Sequence, residues 1–266
     1  MTAVADATVF VPRVPFAVCE RHVDYLHILH HIQQRRTVVE RATTPIVRRL
    51  AWQIVNGKPH DATTVALTDK LAVALDQTAT FGYHQARAEI ASLRRAHPHK
   101  PRAAVGGYQF PDAGRHARIA THGIDAVRQF IRHRAVQTST GVYHDVLQAP
   151  VLQKPKKPPL SVQAAALAAV AARSLHNHVL ELVGETLNLG RTAGVATMND
   201  PPEFALRSEQ LDANTCDPCE QLHGEIVEIG SPEYYDLMPP AECDGGGRCR
   251  GIYVYGDTPG QMEAAA

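Results

Sequence analysis

The sequence predicts an α+β protein: a long, mainly helical N-terminal region followed by a small, Cys-rich α+β C-terminal domain. Three observations predict it. Apolar residues recur at helical spacing through much of the first 200 positions, whereas short β-prone runs bounded by glycine appear only after them. Charge is segregated: the 266 residues are neutral overall, yet residues 1–200 carry +10 and residues 201–266 carry −10. Four of the five cysteines, Cys216, Cys219, Cys243 and Cys249, fall inside the acidic part, while Cys19 stands alone. At 44% hydrophobic and 20% charged residues the chain is globular rather than disordered or fibrous.

The first helical stretch begins near Val14 and carries Val23, Leu26, Leu29 and His30 on one face. Pro45 is expected to interrupt it before it resumes toward Leu50 and Ile54, because proline removes a backbone donor and clashes with the preceding turn. Asn56, Gly57 and Pro59 form a turn, and Asp61 or Thr63 can cap the next helix. That helix places Leu67, Leu71, Ala74, Leu75 and Thr78 on one face and runs to Pro98. Its thirty-odd residues span about 50 Å at 1.5 Å each. Such a length suits an elongated assembly better than a compact enzyme.

Pro101 to Gly114 reads as a loop, followed by a basic helix from about Arg115 to Val136. Arg115, Arg118, Arg128, Arg132 and Arg134 lie on it against a single carboxylate, Asp125. Residues 148–160, QAPVLQKPKKPPL, place four Pro and three Lys in thirteen positions, the composition of a semi-rigid extended linker. The main boundary is put there, dividing the chain into a helical region (1–147), a Pro/Lys-rich linker (148–160) and a C-terminal domain (161–266). Beyond it Ser161 can cap an Ala-rich helix through Leu175, Val179, Leu182, Val183 and Leu187, which Gly190 or Gly194 is expected to stop. GEIVEIG (224–230) and GIYVYG (251–256) have strand composition.

The late cysteines read C-x2-C, a gap of 23 residues, then C-x5-C. A C-x2-C turn brings two thiolates within one metal's reach, and a second pair across a hairpin completes a tetrahedron, the arrangement of structural zinc. Bound metal supplies folding energy where a short segment has few large apolar residues. Two disulfides and reduced thiols remain as alternatives, the former disfavoured in a reducing cytosol. His223 is a substitute ligand, and four sulfurs would close the shell and leave no catalytic position.

Other near-motifs fail on spacing or context. Gly184 to Thr192 resembles a phosphate-binding loop, but five residues separate its glycines, Arg191 stands where Lys belongs, and the context is helical. His223-Gly-Glu225 follows the C-x2-C pair, whereas the zinc deaminases have the reverse order. His27, His30 and His31 lack the Glu of a zinc-protease helix, and Gly245 to Gly247 are read as a bend that lets Cys243 and Cys249 converge rather than as an anion nest. The cations Arg115, Arg118, Arg128, Arg132, Arg134, Lys154, Lys156 and Lys157 are candidates for contact with nucleic acid or with an acidic partner surface, including that of a neighbouring copy. The opposing reading is a solvated helix face and a solubilising linker.

The segment from Leu206 to Glu225, containing L-D-A-N-T-C-D-P-C, then Pro239-Pro240 and Cys249-Arg250 leading into Ile252 to Tyr255, resembles the Mu-F-like minor head proteins of tailed bacteriophages, the phage head morphogenesis family. Leu211, Asp212, Thr215, Cys216, Cys219, Leu222, Gly224, Pro239, Pro240, Cys249 and Arg250 match its signature. The resemblance covers roughly Ser161 to Tyr255. Two departures stand out: Cys243 occupies the region where the family often has His, and Gly251 follows Arg250 where a further Cys is common. The resemblance implies a non-enzymatic minor capsid protein of the virion head, made in the host cytoplasm. It implies association with portal and major capsid proteins and a role in head morphogenesis and DNA packaging or delivery. The N-terminal helices would dock on those partners, the cysteines would hold structural zinc, and the basic side chains would meet packaged DNA or acidic surfaces. A zinc-stabilised nucleic-acid-binding module is the alternative. No run approaches the roughly 20 apolar residues of a membrane span, and MTAVADATVFVPRVPF lacks the pattern of a signal peptide.

Overall fold

A computed structural model describes residues 25–96, 115–154, 156–208, 216–236 and 251–263. Its elements are α1 (Tyr25–Val55), α2 (Asp61–Ala96), α3 (Arg115–His122), α4 (Ile124–Leu147), α5 (Pro150–Gln153), α6 (Leu160–Ala196), β1 (Phe204–Ser208), α7 (Asp217–Leu222), β2 (Ile226–Glu228), α8 (Pro232–Asp236), β3 (Ile252–Gly256) and α9 (Pro259–Glu263). The fold is mostly helical with one small antiparallel sheet, an α+β arrangement. Cys19, Cys243, Cys249, the loop at 101–114, Pro239-Pro240 and the Gly245–Gly247 bend lie outside the described residues, as do the side chains of His27, His30 and His31.

Helices α1, α2, α4 and α6 bury one apolar face each into a common core. Val39 and Val47 come from α1, Leu67, Leu71 and Leu75 from α2, Val127, Ile131 and Val142 from α4, and Leu167, Leu175, Val179 and Leu182 from α6. Periodicity at three and four residues places these side chains together, as the sequence predicts for α2. Pro45 does not interrupt α1, which continues through it. Thr43 and Val47 are buried while Pro45 is exposed, so the missing N–H bond to the Arg41 carbonyl falls on the side where water can replace it. Gly57 at φ +60° closes α1: its N–H donates to the Ile54 carbonyl at 3.2 Å and the Lys58 N–H to that of Gln53 at 2.9 Å. This is the paired geometry that ends helices on a left-handed residue.

The basic helix expected from Arg115 to Val136 is two helices. Gly123 at φ +55° separates α3 from α4, and a Cβ there would stand 2.8 Å from Thr197 Cγ2. Helix α6 also departs from expectation. It starts at Leu160 without a side-chain cap and runs through Gly190 and Gly194 to Ala196. Those glycines are contact points rather than stops. A Cβ on Gly190 would lie 2.1 Å from the Ala79 carbonyl oxygen, one on Gly194 2.5 Å from that of Tyr83, and one on Gly82 of α2 2.5 Å from that of Leu187. The α2 and α6 backbones therefore meet at a crossing that only hydrogen side chains permit.

The segment at 148–160, where the sequence reading puts the main boundary, joins two parts of one core. Past α5 and the exposed Lys154, Lys156 and Lys157, α6 packs back against α1, α2 and α4. The sheet has order β2-β1-β3, with Ala205 opposite Val227 on one side and Tyr255 on the other. All five β3 residues are buried. Ile252 and Val254 join the bundle core; Tyr253 and Tyr255 form a second cluster with Ala205, Tyr234, Ala86 and Ile90 of α2, and Val195 of α6. The sheet thus shares its core with the helices on both faces.

Candidate functional site

The cysteine motif is carried by β1, α7 and the turn into β2. Cys216 caps the start of α7 with extended backbone (φ −79°, ψ 155°), and Pro218 in the first turn supplies the fixed φ that a helix start tolerates. Cys219 is buried one turn later. Gly224, at φ +89°, returns the chain to β2, and its N–H donates to the Arg207 carbonyl at 2.8 Å while the Arg207 N–H donates to the Glu225 carbonyl at 2.8 Å. This exchange sets the motif against β1. Arg207 is fully buried, and its Nη2 donates toward Cys219 Sγ at 4.0 Å.

His223 ends α7, and burial lowers its pKa below the ordinary histidine range, favouring the neutral imidazole that a metal needs. Cys216, Cys219 and His223 are thus compatible in kind with zinc. Among the described residues no three His, Cys, Asp or Glu side chains converge as a metal-holding group. Cys243 and Cys249, the other half of the proposed set, lie outside them.

Next to this motif the sheet is clamped to the helices by buried polar side chains. Arg191 of α6 is fully buried; its Nη1 donates to Glu89 Oε1 at 3.1 Å and its Nη2 to Glu89 Oε2. Its Nε and Nη2 also reach the Tyr253 carbonyl at 3.1 and 2.9 Å, and its guanidinium sits 5.8 Å from the Tyr255 ring centre. Burial opposes the charge on Arg191, but the carboxylate of Glu89 outweighs it and the guanidinium pKa is raised. Asn188 Nδ2 donates to the Gly251 carbonyl at 2.9 Å. Arg94 grips Asp257 with two bonds, at 2.9 and 2.6 Å. Tyr253 stacks on Tyr234 and donates to its carbonyl at 2.7 Å. The Gly184–Thr192 run that mimics a phosphate loop is therefore mid-helix, and its Arg and Thr serve this clamp. Spacing alone could not reveal that role.

The candidate contact cations divide. Arg128 bonds Asp76 of α2 at 2.8 Å and Asp125 at 2.9 Å, and Arg134 pairs with Glu181 at 2.7 Å and Glu185 at 3.3 Å on α6. Both hold helices together. Arg118, Arg132, Lys154, Lys156 and Lys157 are exposed, and of Arg115 only the helical backbone is described. Between α4 and α6 a cleft of about 360 Å³ is lined by Asp145, Gln148, Arg173, Ser174 and Asn177. The Ser174 hydroxyl donates to Asp145 Oδ2 at 2.6 Å across its floor. Among the described residues no helix is long and apolar enough to cross a membrane. Comparison of the chain with protein-family models, with curated proteins and with solved structures gives no match.

Proposed function

We propose that this chain is a non-enzymatic structural and assembly component of a tailed-bacteriophage head, a minor capsid protein that works beside the portal in head morphogenesis and DNA packaging or delivery. The signature around Cys216 and Cys219 motivates the reading. The observation that carries it is the clamp: the sheet beside the Cys216–Cys219 helix, fixed by fully buried Arg191 and half-buried Arg94 to helices of 36 and 37 residues. Each such helix is about 55 Å long at 1.5 Å per residue. A rigid strut of this kind suits a part that joins larger assemblies. The C-x2-C pair, with Cys216 at the start of α7, Cys219 buried within it and the turn after it bonded to β1, supports zinc at Cys216, Cys219, Cys243 and Cys249 in a structural role.

Two measurements test it. Full-length protein is assayed for metal, with about one zinc per chain expected and loss on Cys219→Ser; protein that carries no metal and unfolds on reduction would replace zinc by disulfides. The same protein is mixed with portal and major capsid proteins of a tailed bacteriophage, and failure to co-sediment with either would reject the head-assembly role. The second reading, a zinc-stabilised nucleic-acid-binding module, is favoured by the exposed Arg118, Arg132, Lys154, Lys156 and Lys157. It requires duplex affinity that falls steeply with salt as counterions are released.

A further inference from the structure

Helix α1 presents an outward stripe that the other described elements leave uncovered. Val38, Pro45 and Trp52 recur every seven residues on its exposed side, with Val38 46% and Trp52 53% accessible. Arg41, Arg48 and Arg49 fall between them, all exposed, and exposed Lys58 follows in the turn. The one carboxylate of α1, Glu40, points the other way and meets His176 of α6 at 2.6 Å. The result is an apolar line about 21 Å long at helical rise, flanked by four cations.

The opposite face exists elsewhere on the chain. Asp217 and Glu220 on α7, Glu225 and Glu228 around β2, and Glu233 and Asp236 on α8 are all exposed. No Lys or Arg occurs between Arg207, which is buried, and Arg248 in the sequence. These carboxylates lie around half-buried Leu222, whereas Ile226 packs on the bundle core and Val227 on the second cluster, so this surface is predominantly a carboxylate patch. Helix α1 packs on α6, α2 and α4, and so its outer stripe is directed away from the chain's own core.

We propose that copies of this chain associate head to tail, the α1 stripe of one seating on the acidic α7–β2–α8 face of the next. One occupant then accounts for both faces. A nucleic acid would use the arginines but leave the acidic face unexplained, and phosphates need no line of Val38 and Trp52 between the cations. Since the two surfaces differ, the contact is heterologous and propagates into a ring or an open string rather than stopping at a two-fold dimer. It goes beyond the head-assembly reading and does not rest on it.

Sedimentation of the full chain over a concentration series tests this. Association is expected at about 50 mM salt and should weaken roughly tenfold or more by about 300 mM, as screening removes rim attraction. The surface variant Arg41→Glu/Arg48→Glu/Arg49→Glu and the variant Glu220→Lys/Glu225→Lys/Glu228→Lys should each be monomeric with wild-type helical content. Mixed, they should associate again, because each now offers what the other lacks. A wild-type chain that stays monomeric, single-face variants that associate like wild type, or a mixture that stays monomeric would each overturn the proposal. So would a monomer that binds duplex DNA through the same three arginines.

Discussion

Replacing Gly190 by Ala adds one methyl group where α2 and α6 cross, and its effect can be worked out from the geometry. The new Cβ would lie 2.1 Å from the Ala79 carbonyl oxygen, 2.7 Å from its carbon and 2.8 Å from Ala79 Cα. All three are backbone atoms, so no rotamer change relieves the contact. The helices must separate by about 1 Å to approach an ordinary van der Waals distance, and such a gap forfeits up to about half of the dispersion attraction along the crossing. Overpacking of this kind costs about 1–3 kcal/mol. Against it stands the helix propensity of Ala over Gly, about 1 kcal/mol in its favour. With three backbone atoms in collision and no rotamer to relieve it, the cost sits near the upper end of that range, about 3 kcal/mol, so the backbone clash wins with a net loss of about 2 kcal/mol and a Tm lower by about 4–8 °C. Gly82→Ala and Gly194→Ala, at 2.5 Å, should follow with smaller losses, and Gly260→Ala, with nothing within 4 Å, should leave Tm unchanged or slightly higher. Thermal unfolding followed by circular dichroism reads the series. A Gly190→Ala protein as stable as wild type would refute the close crossing.

Two further outcomes follow from the clamp. Arg191→Met strands the Glu89 carboxylate and the Tyr253 carbonyl and should cost about 3–5 kcal/mol, as for a broken buried pair; adding Glu89→Gln should recover part of it, measured by urea unfolding. Burial raises the pKa of Tyr234, Tyr253 and Tyr255. A phenol that stays neutral in the fold but ionises near pH 10 when unfolded contributes stability that is complete below pH 10 and is lost as pH climbs above it. Absorbance at alkaline pH should therefore show these three tyrosines ionising together with loss of near-ultraviolet circular dichroism, after the exposed ones; non-cooperative ionisation before unfolding would contradict their burial.

The long helices were legible because their cores repeat at three and four residues: Leu67, Leu71 and Leu75 announce α2 without help from the rest of the chain. The strands at 226–228 and 252–256 were legible from β-branched and aromatic runs between glycines. Glycine was where reading failed. Gly190 and Gly194 looked like helix stops, since that is what glycine does locally, and a second helix pressing on them cannot be seen in a one-dimensional pattern. Gly123 looked like an ordinary helical residue and instead supplies the left-handed break. Arg191 reads in the sequence as a flawed phosphate-loop residue; its partner Glu89 is 102 positions away, and no spacing rule joins them. The α1 stripe could have been found, because Val38, Pro45 and Trp52 keep a seven-residue interval. Only knowledge of which side is buried turns that interval into a surface.

Helix α6 belongs to both cores and contains no break between Leu160 and Ala196. A lever of that kind has no joint. If a partner tugs on the sheet, the Arg191 and Asn188 bonds hand the load straight to α6, and α6 conveys it along its whole length to the Pro/Lys-rich connection before Leu160. Displacement is therefore relayed from one end of the molecule to the other instead of being absorbed at a flexible elbow.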